Sequence, residues 1–308
     1  MRKRIKVAVL MGGKSPEHEV SLSSGKEIIR NLDNKKYRVS SLIISKTGKG
    51  LKKLLKINTD IVFLALHGQF GEDGTIQGML EMLGIKYTGS GVLASAIGMD
   101  KPVFRKLMKH ERLAIPKYVV INKKEKVPDF NKILGNFPYV VKPSAQGSSV
   151  GVLIVRNHEE LKKAIKNALK FGTEVIVEEY VKGIEVTCPI LGNDKPFALP
   201  VIEIIPKNNF FDYESKYSKG GAKEIVPARI SKTITKKVQE LAVKVYKAVG
   251  CRGFARVDFI LKNKKTPVIL EINTIPGLTP ESLFPKSAKA FGMSYSQLLD
   301  IIINYALE

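Results

Sequence analysis

Arg256, Asp258, Glu271 and Asn273 are the residues of this chain whose types and spacing point most directly to chemistry. They interrupt two apolar segments of strand composition, "FARVDFIL" and "VILEIN". Strand alternation sets Arg256 and Asp258 on one face of the first segment, and Glu271 and Asn273 on one face of the second. Charges among buried side chains need compensation. One account makes Asp258, Glu271 and Asn273 hard oxygen ligands for Mg²⁺, with phosphate oxygens completing the octahedron. The other is a buried Arg–Asp ion pair beside an exposed strand end. Taken alone, these residues leave both open.

A second stretch handles anions. "YVVKPSAQGSSVGV" (139–152) is a strand ending in Lys142, a turn of small residues, and another strand. The lysine can project over phosphates while the turn exposes backbone N–H donors. No GxxxxGK[ST] is present and a strand follows the turn, which excludes a Walker A loop. The lysine precedes the glycines and no HRD or DFG follows, which excludes a protein kinase. A plain hairpin remains the alternative reading.

The elements that must position these residues fall into three parts. Residues 4–10 and 60–66 are strands buried on both faces, with a helix over 21–32 between them. Ile76, Met79, Leu80 and Leu83 give residues 73–84 helical periodicity, with Gly84 as the stop. This alternation predicts a small parallel α/β domain over residues 1–98. From residue 99 the texture changes: "MDKPVFRKLMKH" is helical, "YVVI", "YVVKP" and "GVLIVR" are short strands, and a helix covers 158–170. A third part over 183–308 holds strands at 184–191 and 198–205, the two strands described first, a helix over 231–249 capped by Ser231 and ended by Gly250, and a closing helix. Residues 206–224, "PKNNFFDYESKYSKGGAKE", fit no periodicity. Their aromatics and the Gly220-Gly221 hinge make a lid the better reading than a linker.

Composition narrows the class. At 308 residues and 44% apolar, the chain buries a large core and exceeds one average domain. No apolar run reaches the ~18 residues that span a bilayer. "MRKRIKVAVLMGG" stops at a glycine turn, so it is read as a first strand, not a leader. Cys188 and Cys251 give neither a disulfide framework nor metal spacing, which fits a reducing cytoplasm. The net charge of +22 raises a polyanion partner, but the lysines are spread along helices such as "LKKAIKNALK" and no nucleic-acid motif is present. We read the charge as surface decoration and expect neither nucleic-acid nor membrane partners.

Lys142, the Gly–Ser turn, "VEEYVKGIEV" (177–186), "FARVDF" and "LEINTIPG", in that order, resemble the ATP-grasp superfamily. "GGKSPEHEVSLSSG" (12–25), "ALHGQFGEDGTIQG" (65–78), "GSGVLASAIGMDK" (89–101), "FFDYESKYS" and "IPGLTPESL" (275–283) further resemble D-alanine–D-alanine ligases, nearly end to end. The resemblance implies an α/β N-terminal domain followed by a two-part ATP-grasp fold, α/β and α+β in class. Its parts would be residues 1–98, 99–182 and 183–308, with a closing loop at about 206–222. It implies a cytoplasmic, homodimeric enzyme that joins two D-alanines with ATP through a D-alanyl phosphate, for peptidoglycan synthesis. A different ATP-grasp ligase, acting on another amino acid or D-lactate, is the alternative.

The resemblance also assigns residues. Lys101 and Lys142 would hold nucleotide phosphates, Glu178 and the Val181 backbone adenine, and Glu185 ribose, with Ser148, Ser149 and Phe210 also in the nucleotide site. Asp258, Glu271 and Asn273 would bind two Mg²⁺, for which Mn²⁺ can substitute. Glu17, with His67 nearby, would take the first D-alanine's ammonium, and Arg256 and the Gly277 N–H its reacting carboxylate. Ser282 and the Leu283 backbone would hold the second carboxylate, while Lys216 and Tyr217 close the lid and Tyr217 meets Ser148 and Glu17. Glu281 departs from the histidine common in relatives.

Overall fold

The computed structural model describes residues 4–123, 128–147, 150–206 and 222–308. Among these residues the strands form three sheets. In the first, β1 (Ile5–Gly12), β2 (Tyr37–Ile44) and β3 (Ile61–Leu64) run parallel in the order β2-β1-β3. Val7–Leu10 of β1 and all of β3 have no solvent exposure, so their sequences are apolar on both faces. The crossover helix α1 (His18–Asn31) begins at His18, ahead of the expected Ser21. Ser21 is a strut instead: its hydroxyl accepts from Gly12 N at 2.8 Å and donates to Ala65 O at 2.6 Å. β2 escaped sequence reading because its surface is mixed, with Arg38, Ser41 and Ile43 exposed. Helices α2 (Thr75–Met82) and α3 (Val92–Met99) complete this part.

Helix α4 (Lys101–His110) follows at once, capped by Asp100, whose Oδ1 accepts from Val103 N at 2.9 Å. The second sheet is antiparallel: β4 (Tyr118–Asn122), β5 (Tyr139–Pro143), β6 (Leu153–Val155) and β7 (Glu174–Glu179), in the order β4-β7-β5-β6. Helices α5 (Phe130–Leu134) and α6 (His158–Ala168) cover it.

The third sheet holds β8 (Gly183–Leu191), β9 (Phe197–Ala198), β10 (Ile202–Pro206), β11 (Ala222–Ile225), β12 (Phe254–Lys262) and β13 (Thr266–Asn273). Its order is β11-β10-β8-β12-β13, with β9 beside β8. The strand expected at 198–205 divides into β9 and β10 because Pro200 has no N–H for the ladder. Leu199 N instead donates to Pro189 O, and Val201 O accepts from Ala228 N. Helix α7 (Lys232–Val249) has the expected ends: Ser231 Oγ accepts from Ile234 N at 3.3 Å, and Gly250 closes it at φ 76°. Helices α8 (Leu283–Ala290) and α9 (Tyr295–Leu307) end the chain.

The cores do not follow chain order. Phe104 and Met108 of α4 pack with Val257, Phe259 and Ile269 of the third sheet. Leu298, Leu299, Ile302 and Ile303 of α9 pack with Val7, Val9 and Phe63 of the first. Each such fully buried side chain contributes about 1.5–3 kcal/mol of burial, so the chain's ends are held together. Among the described residues no helix is long and apolar enough to cross a membrane.

Candidate active site

β12 and β13 pair so that Arg256 stands opposite Asn273 and Asp258 opposite Glu271. The four residues found by strand alternation therefore form one patch. The register slips between Asp258 and Phe259, and Leu270 is the extra residue. This bulge lets Ile269 and Ile272 both enter the core while Leu270 and Glu271 both face the cleft. The ion-pair alternative also holds: Arg256 Nε and Nη2 donate to the Asp258 oxygens at 2.8 and 2.9 Å. From the other flank, Thr187 Oγ1 donates to Asp258 Oδ1 at 2.5 Å. Asn273 Oδ1 accepts from Ile275 N at 3.0 Å, which fixes the amide and leaves its oxygen a second lone pair. Among the described residues no group of three or more His, Cys, Asp or Glu could hold a metal. Two carboxylates and an amide oxygen do suit Mg²⁺, which keeps phosphate and water among its ligands.

Asp258 and Glu271 of this patch line one wall of a cleft of about 430 Å³ between the second and third sheets. Lys101, Lys142, Glu178, Val181, Glu185 and Leu283 line it as well, as does Arg256. Lys142 pairs with Ile176 and Glu178 with Val140, so the two charges are diagonal neighbours on one face. Lys142 Nζ donates to Glu178 Oε2 at 2.7 Å. Glu178 Oε1 accepts from Arg105 Nε at 2.6 Å, and Arg105 Nη1 donates to Leu270 O at 2.6 Å. Arg105 Nη2 also lies 2.6 Å from Glu178 Oε1, angled so that it makes no hydrogen bond of its own. Burial opposes charge on Glu178, but Arg105 and Lys142 overcome it and hold the carboxyl below its usual range. Lys101, at the start of α4, donates from Nζ to Gln146 O at 2.5 Å. Burial, ahead of the pull of Glu271 and the push of Lys142, lowers its pKa from the ordinary lysine value.

Glu17 and His67 belong to a second cluster beside the cleft, on the loops that follow β1 and β3. Glu17 is 5% exposed, and its N–H donates to Ser15 Oγ at 3.2 Å. Ser15 Oγ in turn donates to His67 O at 2.6 Å, tying the two loops together. The His67 ring lies between Ser24 Oγ at 3.2 Å and Glu72 Oε1 at 3.4 Å. Burial works against its protonation, but Glu72 and Glu17 outweigh that and leave its pKa raised. A Cβ at Gly147 would stand 3.3 Å from Glu17 Oε2. The 144–147 turn thus bonds Lys101 through Gln146 O and passes beside Glu17 at Gly147, joining cluster to cleft.

The third group surrounds the α8 N-terminus. Ser282 occupies the N-cap position with its side chain turned away: Oγ accepts from Thr279 N at 3.2 Å and meets Thr279 Oγ1 at 2.8 Å. A Cβ at Gly277 would come within 2.9 Å of Ser282 Oγ, so a larger residue there would make the Ser282 hydroxyl shift. Glu281 reaches Lys286 Nζ at 3.2 Å, and Lys286 holds Glu224 of β11 at 2.9 Å.

Ser148, Ser149, Phe210, Lys216 and Tyr217, and most of the expected 206–222 lid, lie outside the described residues. Sequence reading missed Arg105, Glu72 and Lys286. Arg105 had a usable signal, since it stands one helical turn after Lys101 on the same face of α4.

Comparison with known proteins places the chain in a family. Residues 6–54 and 49–90 match the family described as "D-ala D-ala ligase N-terminus", and residues 107–304 its "C-terminus" counterpart. A D-alanine--D-alanine ligase of Carboxydothermus hydrogenoformans is 44% identical over 99% of both chains. The solved structure of a Bacillus anthracis D-alanine--D-alanine ligase complexed with ATP superposes with a TM-score of 0.86 at 38% identity, over 98% of this chain and 97% of that one. VanG, a D-Ala:D-Ser ligase of Enterococcus faecalis, superposes with a TM-score of 0.85 at 35% identity, covering 99% of this chain and all 100% of its own.

Proposed function

From the premise that the chain belongs to the D-alanine–D-alanine ligase family, we infer that it joins two D-alanines into D-alanyl-D-alanine with ATP. The observation that carries the reading is that Arg256, Asp258 and Glu271 of the cross-strand patch, with Asn273 paired opposite Arg256, share one cleft with Lys101 and Lys142.

A carboxylate is a poor electrophile, so the first step converts it to an acyl phosphate. Lys101 and Lys142 orient the triphosphate, and positioning with charge neutralisation is most of what phosphoryl transfer requires. Mg²⁺ held by Asp258, Glu271 and Asn273 would supply further neutralisation of phosphate charge. Glu17 binds the ammonium of the first D-alanine, with His67 fixing the loop beside it. Arg256 is held in the patch by its bonds from Nε and Nη2 to Asp258. Its guanidinium, with the Gly277 N–H, holds the reacting carboxylate.

The second D-alanine brings its carboxylate to Ser282 and the Leu283 N–H, where the α8 N-terminus favours an anion. Its amine attacks the acyl carbon, and Arg256 and Gly277 hold the oxyanion that forms. Collapse expels phosphate and leaves the peptide bond. Closure by Lys216 and Tyr217 would keep water from the acyl phosphate. Glu178, Val181 and Glu185 complete the nucleotide pocket, with Ser148, Ser149 and Phe210 as further contacts. A homodimer, a cytoplasmic location and a role in peptidoglycan precursor synthesis complete the proposal.

D-serine as second substrate is the rival favoured by a specific observation, the likeness to VanG. Phosphate release with ATP and Mg²⁺ across D-alanine, D-serine, D-lactate and L-amino acids separates them. D-Alanine alone should suffice for full turnover. Release that needs D-serine, D-lactate or an L-amino acid contradicts the proposal.

A further inference from the structure

Among the described residues Arg105 is the largest fully buried side chain, and it does not line the cleft. It cannot touch a bound nucleotide, yet it reaches both walls of the nucleotide site. Nε holds Glu178 on β7 and Nη1 holds the Leu270 carbonyl on β13, next to Glu271. That carbonyl belongs to the bulged residue, the position where the β12–β13 ladder slips. Lys142, by contrast, lines the cleft, and it holds the other oxygen of the same carboxylate.

Two cations therefore serve one buried anion, and they differ in access. A buried carboxylate stripped of its partners costs several kcal/mol. If Lys142 were the sole counterion of Glu178, turning it to a nucleotide would leave that cost unmet. We propose that Arg105 is a positioning residue for nucleotide binding: it is the permanent counterion of Glu178, which frees Lys142 to be shared with ATP. The same guanidinium ties β7 to the β13 bulge, so the lysine wall and the carboxylate wall keep a fixed spacing. This rests on the nucleotide-site reading above, and the test separates the two.

The readout is ATP affinity by calorimetry with Mg²⁺ and no D-alanine, so that turnover does not enter. Lys142→Met is the control, and an unchanged affinity there would remove the nucleotide-site reading itself. With that control weakened, Arg105→Met should bind ATP at least about tenfold more weakly than wild type, while Arg105→Lys, which keeps the charge, should stay within about threefold. A loss of melting temperature in Arg105→Met with ATP affinity kept means a merely structural residue and overturns the proposal. So does an Arg105→Lys variant as weak as Arg105→Met. Should Arg105→Met not fold, a crystal structure of the wild type with a non-hydrolysable ATP analogue decides. Arg105 should keep its bonds to Glu178 and Leu270 while Lys142 Nζ takes a nucleotide acceptor. Release of either Arg105 bond, or a Lys142 that makes no nucleotide contact, overturns the proposal.

Discussion

Asp258 and Glu271 stand directly opposite each other on β12 and β13, and both face the cleft that Lys101 and Lys142 enter. Two carboxylates held so close in a partly buried site are compensated on one side by Arg256, which grips Asp258 through both oxygens. Glu271→Gln keeps the shape and removes one charge. Turnover should fall by more than about a hundredfold, ~2.7 kcal/mol of barrier, with the melting temperature nearly unchanged. Steady-state rates with saturating ATP and Mg²⁺ check this, and a loss of less than about tenfold contradicts the metal assignment.

Lys101 should set the alkaline limit of ATP use. Burial lowers its pKa, so it loses its proton at a lower pH than an exposed lysine does. As pH rises through that lowered value the positive charge disappears, and kcat/KM for ATP should fall with it. Lys101→Arg cannot lose its proton in the accessible range, so its alkaline limb should be absent even if its plateau is lower. The pH profile of kcat/KM for ATP in both proteins is the measurement, and identical alkaline limbs would contradict the role of Lys101.

Gly147 should act on D-alanine and not on ATP. Its missing side chain leaves room for Glu17, whose Oε2 would be 3.3 Å from an added Cβ. Gly147→Ala should press the carboxylate out of line and raise KM for the first D-alanine about fivefold, ~1 kcal/mol, with KM for ATP within about twofold. An equal change in both constants would mean that the turn is disturbed as a whole.

How much of this was legible in the sequence depended on the range of each interaction. Arg256, Asp258, Glu271 and Asn273 were found because strand alternation is local, and the register then put them together. The ends of α7 were legible for the same reason, a serine cap and a left-handed glycine. The Leu270 bulge was not, because it depends on how β13 meets its neighbour. Arg105 read as one more basic residue on a basic helix, since its partners lie 73 and 165 residues away. Glu72 was hidden for a different reason: it lies only five residues from His67, but in a loop with no periodicity to say which side chain faces the ring.

The central claim is that ATP activates one D-alanine carboxylate by phosphorylation. The direct measurement uses D-alanine carrying ¹⁸O in its carboxyl group, with ATP and Mg²⁺, and mass analysis of the released phosphate. An acyl phosphate that loses phosphate to an attacking amine must carry a carboxyl oxygen away with it. One ¹⁸O should therefore appear in each phosphate, alongside ADP and D-alanyl-D-alanine. Unlabelled phosphate, or AMP with labelled oxygen, would contradict the account.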